Sequence, residues 1–171
     1  MRPISTNNPR ASATYDPYGA AKPDLIDTIG GFCSYCERQG YSTALDVEHV
    51  EDKHNNPGLK YSWSNFVLAC KNCNSIKGKK LVDFATMLFP HKENSFPAFN
   101  YLEGGLVLVN NNHPQHARAQ EIMDLTGLDR IPGHPRYSEK DTRWEDRRKA
   151  YKMSKRYVDK YESNTIDIDT I

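Results

Sequence analysis

The sequence predicts an α+β fold organised by a small metal-stapled core, and three features carry that expectation. Two Cys-x-x-Cys pairs, Cys33/Cys36 and Cys70/Cys73, consume all four cysteines of the chain. Between them Ala44-Leu-Asp-Val-Glu-His-Val50 alternates as a strand does. Downstream, Glu103-Gly-Gly105 between two apolar pieces reads as an additional β-hairpin, with segments of helical spacing on either side of the core. At 171 residues with no visible repeat, the chain is read as one domain with appendages. An N-terminal extended segment and short helix occupy 1–30, the cysteine-bearing core 31–90, and the hairpin with a C-terminal helical extension 91–171.

Residues Met1 to Tyr18 are extended and turn-rich, ordered by packing on the body or on a partner. A helix follows, with Pro23 near its start, Leu25, Ile26 and Ile29 as its apolar stripe, and Gly30-Gly31 as its stop. It delivers Cys33 at a tight turn. The strand after Cys36 places Val47 and His49 on one face and Glu48 on the other, and ends at Glu51-Asp-Lys53. After the turn-rich Asn55-Asn-Pro-Gly58, Ser62 or Ser64 caps the segment that carries Asn65 and Phe66-Val-Leu-Ala. Ser75 to Lys80 begins a short helix with Asn74 at its start, and an apolar piece runs from Leu81 to Phe89. The hairpin strands are Phe99–Leu102 and Leu106–Val109. Pro114 to Thr126 reads as a helix stopped by Gly127. A longer helix from about Glu139 to Tyr161, opened by Ser138, carries Trp144, Tyr151 and Val158 at a spacing of seven, and the tail with Asp167 and Asp169 frays.

Hydrophobic residues make up 37% and charged residues 26%, and the longest apolar runs are far too short to cross a bilayer, so a soluble protein without membrane association is expected. No apolar leader follows Met1, so a cytoplasmic chain is expected, in a compartment where paired thiols serve metals more often than disulfides. With 23 Lys plus Arg against 22 Asp plus Glu, the net charge of +1 does not by itself announce a nucleic-acid binder. Lys71, Lys77, Lys79 and Lys80 cluster beside the second cysteine pair. Arg143, Arg147, Arg148, Lys149, Lys152, Lys155 and Arg156 crowd the late helix, either as a solvated face or as a surface that tracks phosphates.

Two neighbouring Cys-x-x-Cys turns suit one shared ion, and a structural Zn²⁺ with a closed tetrathiolate shell leaves no cysteine over. Between the halves of that site stand Glu48 and His49, and Asn74 follows Cys73 directly. A histidine can activate water, and a carboxylate with an amide oxygen suits a hard cation such as Mg²⁺ or Mn²⁺, which together are the needs of phosphodiester hydrolysis. The competing reading is a non-catalytic zinc-ribbon module that binds nucleic acid or protein, with His49 as a packing residue.

Gly31-Phe-Cys-Ser-Tyr-Cys-Glu37, Val47-Glu-His-Val50, Trp63-Ser-Asn-Phe-Val-Leu-Ala-Cys70 and Cys73-Asn-Ser-Ile-Lys-Gly78 resemble, in order, the HNH endonuclease family in its four-cysteine form. The resemblance implies a ββα-metal (HNH) finger stapled by a four-cysteine zinc site. It implies that His49 is the general base, that Glu48 and Asn74 hold the catalytic cation, and that Asn65 braces the hairpin. Glu48 stands where aspartate is commoner, and Asn74 replaces the family's final histidine. Lys77, Lys79 and Lys80 are candidate phosphate contacts on DNA, with a solvent-exposed helix position as the plainer role for Lys77. Arg2-Pro3-Ile4, the Tyr-Cys-Glu of the first knuckle and Tyr101-Leu-Glu-Gly-Gly105 narrow the resemblance to the HNH subunits of the Septu anti-phage systems. That implies an ATPase subunit as partner. Nothing in the sequence separates DNA from RNA as substrate, and Tyr151, Tyr157 and Tyr161 on the late helix favour a protein interface.

Overall fold

A proline in the first turn and a glycine at φ 75° after the last bound the first helix, α1 (Lys22–Ile29), because proline lacks only an N–H that a helix start leaves unpaired and glycine enters the left-handed half of φ freely. The structure is a computed structural model that describes residues 13–90, 92–167 and 169. Most of the expected N-terminal extended segment, with Arg2-Pro3-Ile4, lies outside the described residues. So do the last two residues of the tail. Residues 13–15 run extended beside Tyr61–Trp63, with Tyr15 N–H donating to the Tyr61 carbonyl at 2.8 Å and Trp63 N–H to that of Ala13 at 3.0 Å, before the chain bends at Asp16–Pro17 and turns at Tyr18.

The fold is α+β, with small antiparallel sheets and a four-cysteine cluster. Two strands, β1 (Leu45–His49) and β2 (Phe66–Cys70), pair antiparallel with Leu45 opposite Cys70, Val47 opposite Leu68 and His49 opposite Phe66. The run Phe66-Val-Leu-Ala-Cys70 is buried at every position, as an apolar run without alternation requires, and α1 packs on it. A helix, α2 (Lys71–Lys77), leaves β2 with no intervening loop.

That start differs from the expected one. Asn74 sits inside α2 and not at its beginning, because Cys70 in extended conformation serves as the N-cap and the Cys70-Lys-Asn-Cys73 turn is itself the first helical turn. The Leu81–Phe89 piece is irregular: Leu88 and Phe89 are buried while Leu81 is exposed. Arg118 holds this loop, donating to the carbonyls of Phe84 and Met87 and pairing with Glu93 at 2.6 Å.

β3 (Phe99–Tyr101) and β4 (Val107–Val109) form the second two-stranded sheet. α3 (His116–Thr126) ends on Gly127 at φ 61°, and α4 (Arg143–Glu162) is the longest helix. Two compact units result. The first runs up to Phe99 and takes in Val109–Leu128, with a core that includes Tyr35, Leu45, Val67, Leu68, Phe89 and Ile122. The second comprises Asn100–Leu108 and the residues from Asp129 onward.

Within the second unit α4 packs on the hairpin turn Glu103–Gly105, with Arg147 Nε donating to the Gly105 carbonyl at 2.8 Å. Gly105 lies at φ 80°, and a Cβ there would clash with the Trp144 carbonyl oxygen and sit 3.0 Å from the Arg148 nitrogen. Gly104 is also left-handed, at φ 86°, but a Cβ would meet nothing within 4 Å. Gly104→Ala should therefore cost only the conformational strain, about 1–2 kcal/mol. Gly105→Ala adds an overpacking penalty of about 1–3 kcal/mol against helix backbone, which cannot step aside as a side chain can. Thermal unfolding of the two variants checks this, with the larger loss expected at Gly105.

Candidate active site

The cysteines are gathered by two local devices. After Cys33 the chain folds back in a tight turn, with Glu37 N–H on the Cys33 carbonyl at 2.9 Å and Glu37 itself at φ 57°. Ser34 N–H donates to Leu68 O at 2.7 Å and fastens this turn to β2. Cys70 ends β2 and Cys73 lies in the first turn of α2. All four Sγ atoms fall within 4.8 Å of one another, and Cys36 and Cys70 are 3.8 Å apart. Zinc–thiolate bonds of about 2.3 Å give a tetrahedral edge of about 3.8 Å, so the cluster fits one metal ion such as zinc. Hydrogen bonds from Cys33, Cys36 and Cys73 hold the Cys70 thiol far below its ordinary value, while burial pushes that of Cys73 up. A cation bound among the four would convert them to thiolates together.

β1 presents its two faces differently. On one, His49 is 6% exposed, with the Tyr18 ring at 4.7 Å and the Phe66 ring at 5.2 Å, both edge-on. Its Nε2 lies 2.8 Å from the Lys60 carbonyl oxygen. A carbonyl only accepts, so Nε2 carries the proton and Nδ1 keeps the lone pair. Burial holds this ring below the usual histidine value against the opposing effect of the Lys60 carbonyl, which keeps it neutral and able to take a proton. Asn65 is buried where the chain enters β2. Its Oδ1 accepts from Glu51 N–H at 2.8 Å and its Nδ2 donates to the Glu51 carbonyl at 2.9 Å. With Val50 N–H on the Asn65 carbonyl, these bonds fix the chain just beyond His49.

The other face of β1 meets α2. Glu48 is 7% exposed and pairs with Lys77 Nζ at 2.7 Å. Lys77 also donates to the His49 carbonyl at 2.8 Å. Burial raises the Glu48 carboxyl above the ordinary carboxylate value, with Lys77 pulling it the other way. Two residues earlier on the same face, Asp46 accepts from Asn74 Nδ2 at 3.2 Å and from Lys71 Nζ at 2.6 Å. Asp46, Glu48 and Asn74 thus form a hard-oxygen face. Among the described residues only the four cysteines gather three or more convergent His, Cys, Asp or Glu ligand atoms. The Glu48 carboxylate and the Asn74 amide are the sparse protein set that Mg²⁺ completes with water and phosphate oxygens, so these donors fit such an ion.

Three expected nucleic-acid contacts separate here. Lys77 is 1% exposed, which corrects its reading as a surface lysine: its ammonium is enclosed between β1 and α2. Lys80 reaches the carbonyls of Asp124 and Leu125, where a cation complements the end of α3. Lys79 is exposed. Sequence reasoning passed over Asp46, Lys77 as an internal partner, and the Lys60 carbonyl. The first had a signal: Asp46 shares the strand face of Glu48 by period two. Lys77→Met should destabilise the fold by about 3–5 kcal/mol, the scale of leaving a buried partner charge uncompensated. Chemical denaturation measures it, and a loss under about 1 kcal/mol would mean that Glu48 does not depend on Lys77 for compensation.

Residues 33–80 match the HNH endonuclease family model. The matched stretch is well under half of the chain, yet it begins at the first cysteine and contains every residue placed above except Tyr18 and the α3 carbonyls. The match points to a nuclease, a hydrolase acting on phosphodiester bonds, and HNH nucleases use divalent metals. No curated protein matches the chain. No helix among the described residues is long and apolar enough to cross a membrane.

Proposed function

We propose that this chain is a metal-dependent endonuclease that hydrolyses phosphodiester bonds of DNA, with β1, β2 and α2 as a ββα-metal finger stapled by a four-cysteine zinc site. The observation that carries the reading is the state of His49: a neutral ring with Nε2–H spent on the Lys60 carbonyl and Nδ1 left basic, inside the HNH-matching stretch. Nδ1 of His49 takes the proton of the attacking water. Asn65 acts through the backbone, holding the end of β1 so that the ring keeps its direction. Lys77 ties the His49 carbonyl to the Glu48 carboxylate, so both sides of the site move as one. Glu48 and Asn74 would hold Mg²⁺ or Mn²⁺, which supplies charge stabilisation for the phosphate and the leaving oxygen. Lys79 remains the simplest phosphate contact, with Lys80 beside it.

The Tyr101-Leu-Glu-Gly-Gly105 hairpin and the knuckle motifs support the finer reading of a Septu-type nuclease subunit, licensed by an ATPase partner in an anti-phage complex. A net charge of +1 fits that dependence, since a nuclease with so little excess positive charge gains little affinity from counterion release alone. The test is a supercoiled-plasmid assay with Mg²⁺, Mn²⁺ or EDTA, run beside a single-stranded RNA of matched length. Cation-dependent scission of the plasmid supports the reading, and scission of RNA alone moves the substrate. A folded, zinc-loaded protein that binds DNA and never cuts it, alone or with the ATPase, is the non-catalytic zinc module instead.

A further inference from the structure

Resting on that reading, we infer that Asp46 is a positioning residue for the catalytic cation: it fixes the side-chain amide of Asn74 so that Oδ1, and not the NH₂, is the atom offered as a ligand. The argument begins from what each group can do in a hydrogen bond. An amide has one acceptor end and one donor end of nearly equal size, and rotation by half a turn exchanges them. A cation needs the oxygen. Nothing in the covalent structure of asparagine decides which end faces it, whereas an aspartate or histidine at that position would present a lone pair directly.

Asp46 decides it here. An ionised carboxylate only accepts, so the amide of Asn74 must turn its nitrogen toward it, and Nδ2 does donate to Asp46 Oδ2 at 3.2 Å. The reversed amide would set oxygen against oxygen. The second carboxylate oxygen accepts from Lys71 Nζ at 2.6 Å. Asp46 therefore acts on the cation through Asn74. Placement follows from the strand: Asp46 stands two residues before Glu48 on the face that meets α2, opposite Ala69, whose small side chain belongs to the buried strand β2. Partners that fix a ligand's orientation in this way typically matter about 10–100-fold in metal affinity.

Three variants of the full-length, zinc-loaded protein test this, with Mn²⁺ binding followed by electron paramagnetic resonance, and zinc content and thermal midpoint as folding controls. Asp46→Ala removes the acceptor and should weaken Mn²⁺ binding about tenfold or more. Asp46→Asn removes the charge but can keep a carbonyl oxygen toward Asn74, and should retain most of the affinity. In an Asn74→Asp background, where both ends of the side chain are oxygen, Asp46→Ala should no longer weaken binding. Unchanged binding in Asp46→Ala overturns the inference. So do equal losses in Asp46→Asn and Asp46→Ala, which would report a lost charge or ligand, and so does a loss that persists in the Asn74→Asp background. A wild-type protein that takes up no Mn²⁺ while holding its zinc overturns the proposed function and this inference together, a result distinct from the other three.

Discussion

Cys73→Ser is expected to abolish metal retention and the cooperative unfolding transition of the cysteine-bearing region. Serine nearly preserves the volume of the side chain, which is fully buried in the first turn of α2, so packing alone predicts a modest change. The metal argument predicts a large one. A structural zinc contributes on the order of 10 kcal/mol or more in small modules, against a total stability of about 5–15 kcal/mol for an ordinary domain. The four thiols join the turn after Cys33 to the junction where β2 passes into α2. Removal of one leaves three charged or proton-sharing sulfurs in a buried space without their common counterion. Metal content by atomic absorption and a melt followed by circular dichroism check the prediction. A variant that melts within a few degrees of the wild type with the same zinc content would mean that the cluster is held by packing and not by an ion.

How far the sequence speaks for this fold depends on what decides each element. β1 runs Leu45–His49, inside the alternating stretch 44–50, because alternation is a local property and both its ends are marked. The turn of Glu103–Gly105 is likewise local, and so are the glycine ends of α1 and α3. Helix starts are less legible. Ser138 looks like the cap of the late helix, but α4 begins at Arg143, where Asp141 accepts both the Arg143 N–H at 3.2 Å and its guanidinium at 2.6–2.8 Å. One buried ion pair thus overrides a local capping signal. α2 begins early because the cysteine turn doubles as a helical turn, a constraint set by the cluster and invisible to propensity. Lys77 is the clearest case of tertiary control. Nothing in Asn74-Ser-Ile-Lys-Gly78 distinguishes it from the surface lysines that follow, and only the Glu48 carboxylate on the facing strand gives its ammonium a reason to be buried.

His49→Ala is expected to lower cleavage by about 10²–10⁴-fold, the range of a lost general base, at matched zinc content and with DNA binding unchanged. The ring is buried between Tyr18 and Phe66, so its removal also leaves a small void, and a fall in activity alone would not separate chemistry from packing. Two companions separate them. His49→Asn fills much of the void and can return an N–H to the Lys60 carbonyl, yet it has no basic nitrogen; it should melt near the wild type and still fail to cut. The alanine variant supplied with free imidazole should recover part of its activity without a change in its melt, since the void is shaped for that ring and Nε2–H again finds Lys60. Full activity in His49→Asn removes His49 as the base. The nucleophilic water would then have to lose its proton elsewhere, and Lys77, whose ammonium is already spent on Glu48 and on the His49 carbonyl, is poorly placed to take it.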